Sequence, residues 1–179
     1  MKLGFRQCQA SPLADAILFS KIKARLGGRV RLILPGADSL SSSVEEFLRV
    51  TTCCHVLQGY GLTETCGWSS VALPDDLSMF GTVGPISPTA EVRLESVPEM
   101  GYDALAGTSQ GELCFRGKTV FSGYYKRDDL TKEAFIDGWF HTGDIRELQP
   151  NDSLKIIDRK KIILILASSI LFSSHVNLI

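Results

Sequence analysis

Gln58-Gly59-Tyr60-Gly61-Leu62-Thr63-Glu64 sets one aromatic ring, one hydroxyl and one carboxylate beside two glycines. Glycines flanking Tyr60 let the backbone come close to a flat ligand, and the ring offers a stacking face. The Thr63 hydroxyl can donate to a phosphate oxygen. Glu64 is a hard oxygen ligand of the kind magnesium takes together with waters and phosphate oxygens. The plainer alternative is a glycine turn leading into a helix, with Thr63 as N-cap and Glu64 in the first turn. The two readings are compatible, because a helix start is itself an anion site. Asp144 follows His141-Thr142-Gly143 at the end of an apolar strand. A carboxylate there can accept two hydroxyl hydrogen bonds, as a ribose requires; the alternative is an Asx turn capping the next segment. Asp158-Arg159-Lys160-Lys161, taken alone, reads as a solvated charged turn. Glu112 and Arg116 sit on an alternating run and read as structural.

Other reactive side chains form no recognisable centre. Cys53-Cys54-His55 has too few ligands, too close together, for a metal, and alternation along a core strand would turn Cys54 away from its neighbours. His141 and His175 have no partnered nucleophile, and no Gly-x-Ser-x-Gly elbow is present.

The elements that must position these groups change texture along the chain. Ser11-Pro12, then Leu13, Ile17, Leu18, Ile22 and Leu26, predicts a capped amphipathic helix ended by Gly27-Gly28. Val30 to Leu34 predicts a short, mostly buried strand stopped by Pro35-Gly36. Ser42 or Ser43 can cap the next helix, with Val44, Phe47 and Leu48 as its inner face. Cys53 to Leu57 returns as a strand into Gly59. Strand, helix, strand predicts an α/β fold with a mostly parallel sheet. After about Pro74, glycine and proline punctuate short alternating runs at Glu91 to Leu94, Glu112 to Arg116 and Trp139 to His141. These predict small antiparallel sheets or a distorted β-barrel, with a helical turn or two over Thr131 to Phe135.

Composition narrows the classes. With 19 basic and 20 acidic residues, no basic surplus points to nucleic acid. Five cysteines without a C-x-x-C pair give no disulfide framework and suggest reduced thiols. The amino terminus has no signal-peptide pattern. Ile162 to Ile179 has no charged side chain and approaches the roughly 20 apolar residues that span a bilayer. Ser168, Ser169, Ser173, Ser174, His175 and Asn177 dilute it, so docking or disorder is expected over insertion.

Taken together and in order, Gln58 to Glu64, Gly111-Glu112-Leu113-Cys114-Phe115-Arg116-Gly117, Gly138-Trp139-Phe140-His141-Thr142-Gly143-Asp144 and Asp158 to Lys161 resemble the later motifs of adenylate-forming (acyl-activating) enzymes. Val97-Pro98-Glu99-Met100-Gly101-Tyr102 and Phe121-Ser122-Gly123-Tyr124-Tyr125 look specifically like long-chain acyl-CoA synthetases of plant type. The resemblance runs from about Lys2 to Lys161. It implies part of a large domain: residues 1–80 an α/β nucleotide-binding part, 81–157 a β-rich subdomain, 158–161 a hinge, and 162–179 an unrelated apolar tail.

By the same resemblance, Gly36, Ala37 and Gln58 belong to the nucleotide site and Gly59, Tyr60 and Gly61 line the adenine. Thr63 meets the α-phosphate, Glu64 holds magnesium, Asp144 and Arg159 hold the ribose, and Lys161 is the hinge. The implied substrates are a long-chain fatty acid, ATP and coenzyme A. A fatty carboxylate attacks the α-phosphorus of ATP to give an acyl-adenylate and pyrophosphate, and coenzyme A thiolate then displaces AMP.

Three departures qualify this expectation. The family's Ser/Thr/Gly-rich phosphate loop lies upstream of Met1. Ile162 to Ser169 matches nothing in the family's carboxyl-terminal domain. The usual Gly-Ala-Ala-Pro segment reads Gly36-Ala37-Asp38-Ser39, adding a carboxylate that would repel ATP if it faced the pocket. The expectation is therefore a truncated, weak or inactive ligase. Alternatives are a non-catalytic nucleotide-binding or regulatory fragment that associates with a complete synthetase, and an adenylate-forming ligase for another acid class. The expected location is the cytoplasmic side, with peripheral attachment to the endoplasmic reticulum or another membrane.

Overall fold

The computed structural model describes residues 15–36, 39–74 and 76–160. These form two compact units. One holds the described residues up to Thr89 together with Gln149–Lys155, and the other holds Ala90–Leu148 and the described residues from Ile156 on.

In the first unit, a π-helical turn at Asp15–Phe19 runs into helix α1, Ser20–Arg25. Gly27 and Gly28 both take positive φ, and the Gly28 N–H reaches back to the Lys23 carbonyl, as a left-handed helix stop requires. The expected start of this helix, at Ser11-Pro12, lies outside the described residues. Strand β1 (Leu32–Ile33) pairs in parallel with β2 (His55–Val56) across helix α2, Ser42–Thr52. That realises the strand–helix–strand expectation, but Val30, Leu32 and Leu34 are exposed rather than buried. Among the described residues β1 has a single neighbouring strand, so it does not lie inside a larger sheet.

Helix α2 departs from its predicted face. Ser41, not Ser42 or Ser43, caps it, accepting from the Val44 N–H at 3.4 Å. Its buried residues are Glu45, Thr51 and Thr52, while Val44 and Phe47 are exposed. Glu45 is drawn inward because it finds four donors there. Arg49 gives two, at 3.0 and 2.8 Å; Gln58 Nε2 gives one at 2.6 Å and the Gly81 N–H one at 3.2 Å. The helix ends at Cys53, which adopts a left-handed φ of 54° rather than opening a strand.

The chain then forms an antiparallel hairpin, β3 (Gly59–Leu62) with β4 (Gly67–Val71), joined by a single 3₁₀ turn at Thr63–Thr65. The predicted helix after Gly61 does not form. Cys66 turns left-handed and Gly67 takes φ 113°, which reverses the chain at once. The unit's core gathers Cys54, Val56, Leu57, Tyr60, Ala72, Met79, Val83 and Leu154.

The second unit is built on a curled, five-stranded antiparallel arrangement. β5 (Glu91–Glu95), β6 (Gln110–Arg116), β8 (Trp139–Leu148) and β7 (Phe135–Ile136) lie in that order, and β9 (Leu154–Arg159) also pairs with β8. One face packs Leu113, Phe115 and Phe140 as core. Helix α3, Asp128–Ala134, precedes β7. The Phe121 to Tyr125 run serves packing here. Phe121 meets Tyr124, Phe135 and Phe140 at centroid distances of 4.9, 5.7 and 5.4 Å.

Candidate functional site

In the first unit the glycines flanking Tyr60 are required by the hairpin itself. A Cβ on Gly59 would lie 2.1 Å from the Trp68 ring, and one on Gly61 would lie 2.0 Å from the Gly67 carbonyl oxygen. Between them the Tyr60 ring is buried, only 6% exposed. Gln58 is buried too, and both ends of its amide are used. It donates to Glu45 and accepts the Leu40 N–H at 2.8 Å, so it fixes the return of the loop that begins at Pro35-Gly36. Gly36 has open space where a Cβ would stand. Ala37 and Asp38, whose orientation the sequence left open, lie outside the described residues.

Thr63 is exposed and Glu64 half-buried at the hairpin's end. Their turn is locked by the buried Thr65, whose Oγ1 accepts the Leu62 N–H at 3.1 Å and the Ser69 hydroxyl at 2.9 Å. A three-residue turn has no helix dipole to offer an anion, so Thr63 and Glu64 would have to act through their side chains. One half-buried carboxylate fits a magnesium ion that arrives carrying phosphate oxygens, which needs only one or two protein ligands.

In the second unit Asp144 and Arg159 are brought together. Arg159 Nε lies 2.8 Å from Asp144 Oδ1, and the buried Arg146 supports the other oxygen at 3.3 Å. Asp144 lies within β8 rather than in an Asx turn, and is buried. A carboxylate that accepts beside a half-exposed guanidinium that donates offers both halves of the hydrogen bonding a vicinal diol needs.

Asp158-Arg159-Lys160 is likewise no free charged turn. Asp158 accepts the Tyr102 hydroxyl at 3.0 Å, and that bond raises the Tyr102 phenol above its ordinary range. Lys160 Nζ lies 3.3 Å from Glu112 and 3.7 Å from Glu99, and the Lys160 N–H donates to the Gly143 carbonyl at 2.7 Å. Burial disfavours the Lys160 ammonium, but the Glu112 and Glu99 carboxylates outweigh it and raise its pKa. Tyr102 and Glu99 belong to the Val97 to Tyr102 run, whose turn is closed by Val97 and Tyr102 exchanging backbone hydrogen bonds. Lys161, the predicted hinge, lies outside the described residues.

Glu112 is the residue that sequence reasoning undervalued. It is buried, accepts the Gly143 N–H at 2.9 Å, and has His141 Nδ1 and Lys160 Nζ each at 3.3 Å. Burial pushes its pKa up, but those donors prevail and hold it below the ordinary carboxylate range. It thus fixes the backbone one residue before Asp144. Only its place in the Gly-Glu-Leu motif could have signalled this. His141, read as having no partnered nucleophile, has the Cys114 thiol 3.5 Å from Nδ1. Burial, with Glu112 and Glu95 nearby, pushes that thiol up to about 12, so it is not a nucleophile near neutral pH.

The family that the sequence fits is that of the AMP-binding enzymes. Residues 6–125 match that family, and the chain belongs to it. Among relatives, it is 66% identical over 161 residues to "Long chain acyl-CoA synthetase 4" of Arabidopsis thaliana, covering 90% of this chain and 24% of that protein. It is 57% identical to "Probable CoA ligase CCL6" of Humulus lupulus, covering 90% and 24% respectively. The chain thus spans about a quarter of the length of the curated relatives it matches. Its fold is also similar to the A domain of carboxylic acid reductase from Segniliparus rugosus, solved with AMP and a co-purified carboxylic acid. There the TM-score is 0.70 at 30% identity over 85% of this chain and 23% of that one. The N-terminal domain of FACL13 from Mycobacterium tuberculosis gives a TM-score of 0.58 at 28% identity, over 72% and 32%.

Proposed function

We propose that this chain is the nucleotide-handling middle segment of an ATP-dependent long-chain fatty acid–CoA ligase. The observation that carries the reading is the 66% identity to a long-chain acyl-CoA synthetase over 90% of the chain. In the reaction, an oxygen of the fatty carboxylate attacks the α-phosphorus of ATP and pyrophosphate leaves. The thiolate of coenzyme A then attacks the acyl carbonyl and AMP leaves. The protein contributes positioning and charge stabilisation around the phosphoryl centre.

In this reading Tyr60, between Gly59 and Gly61, borders the adenine, and Gly36, Ala37 and Gln58 belong to the same nucleotide site. The Thr63 hydroxyl meets the α-phosphate. Asp144 and Arg159 take the two ribose hydroxyls, a role their 2.8 Å pairing supports. Magnesium, held by Glu64, would offset phosphate charge. Lys161 is the pivot of a domain rotation between the two half-reactions.

A segment exchange tests the proposal. Put in place of the matching quarter of Long chain acyl-CoA synthetase 4, residues 2–160 should sustain palmitoyl-CoA synthesis, and Asp144→Asn or Glu64→Gln should lower its kcat/KM by about a hundredfold. A folded but inactive exchange protein would overturn it, as would one that activates aryl acids and not palmitate.

A further inference from the structure

The face of the curled sheet opposite Leu113 and Phe115 carries a group of polar side chains that the proposed reaction leaves unused. Cross-strand register brings them together. Cys114 on β6 stands opposite both Arg93 on β5 and His141 on β8, and Glu95 stands opposite Glu112. As a result one ligand atom each from Glu95, Cys114 and His141 lies within 4.8 Å of the others, and this is the one such triad among the described residues. We propose that Glu95, Cys114 and His141 form a binding site for a single divalent cation of the zinc class, separate from the magnesium that Glu64 would hold.

The donor set is right for such an ion. One thiolate, one imidazole and one carboxylate leave a fourth tetrahedral position for water. With bonds of about 2.0 to 2.3 Å, neighbouring ligands of a tetrahedral zinc stand about 3.3 to 3.6 Å apart. Here Glu95 Oε2 lies 3.8 Å from His141 Nε2, and Cys114 Sγ lies 3.5 Å from Nδ1 of the same ring, so the thiol must turn toward Nε2 for all three to meet one ion.

A second, independent observation points the same way. His141 Nε2 is buried, in a side chain only 9% exposed, and has no hydrogen-bond partner among the described residues. A buried imidazole nitrogen without a partner carries a desolvation cost that needs an explanation. The other nitrogen, Nδ1, is turned to Glu112 Oε2 at 3.3 Å. With the proton held there, the Nε2 lone pair points away, as in carboxylate–histidine–metal arrangements.

Arg93 is the resident cation. Its Nη2 lies 2.6 Å from Glu95 Oε2, while its Nε is buried without a partner. The Arg93 guanidinium also stands 4.6 Å from the Trp139 ring, so it has a place to settle when a divalent ion takes Glu95. Binding releases the Cys114 thiol proton, as thiolate ligation always does. Glu95, half-exposed, gives the ion its route from solvent. An ion held there fastens β5 and β6 to β8, the strand that also carries Asp144.

Cobalt(II) titration of the full, reduced chain tests this, because a thiolate ligand gives an intense charge-transfer absorption that carboxylates and imidazoles do not. One equivalent of cobalt should produce the band and one equivalent of zinc should abolish it. Cys114→Ser and His141→Gln should each weaken zinc at least about a hundredfold, since even outer partners of a metal site cost about 10–100-fold. Glu95→Gln should weaken it about tenfold, and Cys66→Ser and Cys53→Ser should leave it unchanged. Absence of the band at saturating cobalt, its survival in Cys114→Ser, or its loss in Cys66→Ser overturns the site. Should Cys114→Ser fail to fold, Glu95→Gln decides: unchanged zinc affinity in that variant overturns the proposal.

Discussion

Glu45 and Glu112 are both nearly inaccessible to solvent, and each gathers donors from segments far apart in the chain. Removing one partner of a buried charge network leaves the others uncompensated, at about 3–5 kcal/mol. Glu45→Ala should therefore lower unfolding stability by about 3 kcal/mol, read from urea denaturation; a change below about 0.5 kcal/mol, the size of an ordinary surface substitution, would contradict this account. Glu112 adds a pH signature. Its folded pKa is depressed, so its stabilisation is present above the ordinary glutamate value of about 4.3 and is lost as pH falls through the lower folded value. Lys160 is raised, so its contribution is present below about 10.4 and is lost as pH climbs through the higher folded value. The urea-midpoint gap between the parent and Glu112→Gln should stay flat from about pH 5 to about pH 10 and shrink outside that window. A gap that widens in acid would refute the assignment.

At the scale of elements, the β3–β4 hairpin depends on close backbone approach at Gly61. Overpacking costs about 1–3 kcal/mol, and here the obstacle is a carbonyl rather than a side chain that can swing aside. Gly61→Ala should fall at the upper end of that range by urea denaturation, whereas Gly36→Ala, with open space around it, should cost under about 1 kcal/mol. Equal effects would argue against this hairpin. The sequence announced the alternating strand at Glu112 to Arg116, because period-two patterning is local. It did not announce the hairpin, since Gly-Leu-Thr-Glu-Thr reads equally as a helix start until Cys66 and Gly67 turn left-handed. The same limit hid the ties on Asp158-Arg159-Lys160. Two of their partners, Tyr102 and Glu112, lie 56 and 48 positions upstream, beyond the reach of any local periodicity.

Over the whole molecule, four ordered motifs were enough to read the family, yet the return of Gln149–Lys155 to the first unit was not legible. Gln149–Lys155 returns to the first unit through Leu154, which exchanges backbone hydrogen bonds with Val83 and Gly84 at 2.8 and 3.0 Å. Such pairing over a long stretch of chain leaves no local pattern. The candidate nucleotide residues follow that division, with Gln58 to Glu64 in the first unit and Asp144 with Arg159 in the second.

Calorimetric titration of AMP into the 179-residue chain tests the central claim most directly, because it needs neither the acid nor coenzyme A. AMP should bind, and Asp144→Asn and Tyr60→Ala should each weaken it by about tenfold, or about 1.4 kcal/mol. No AMP binding at millimolar nucleotide, or equal affinity in the parent and Asp144→Asn, would contradict the account.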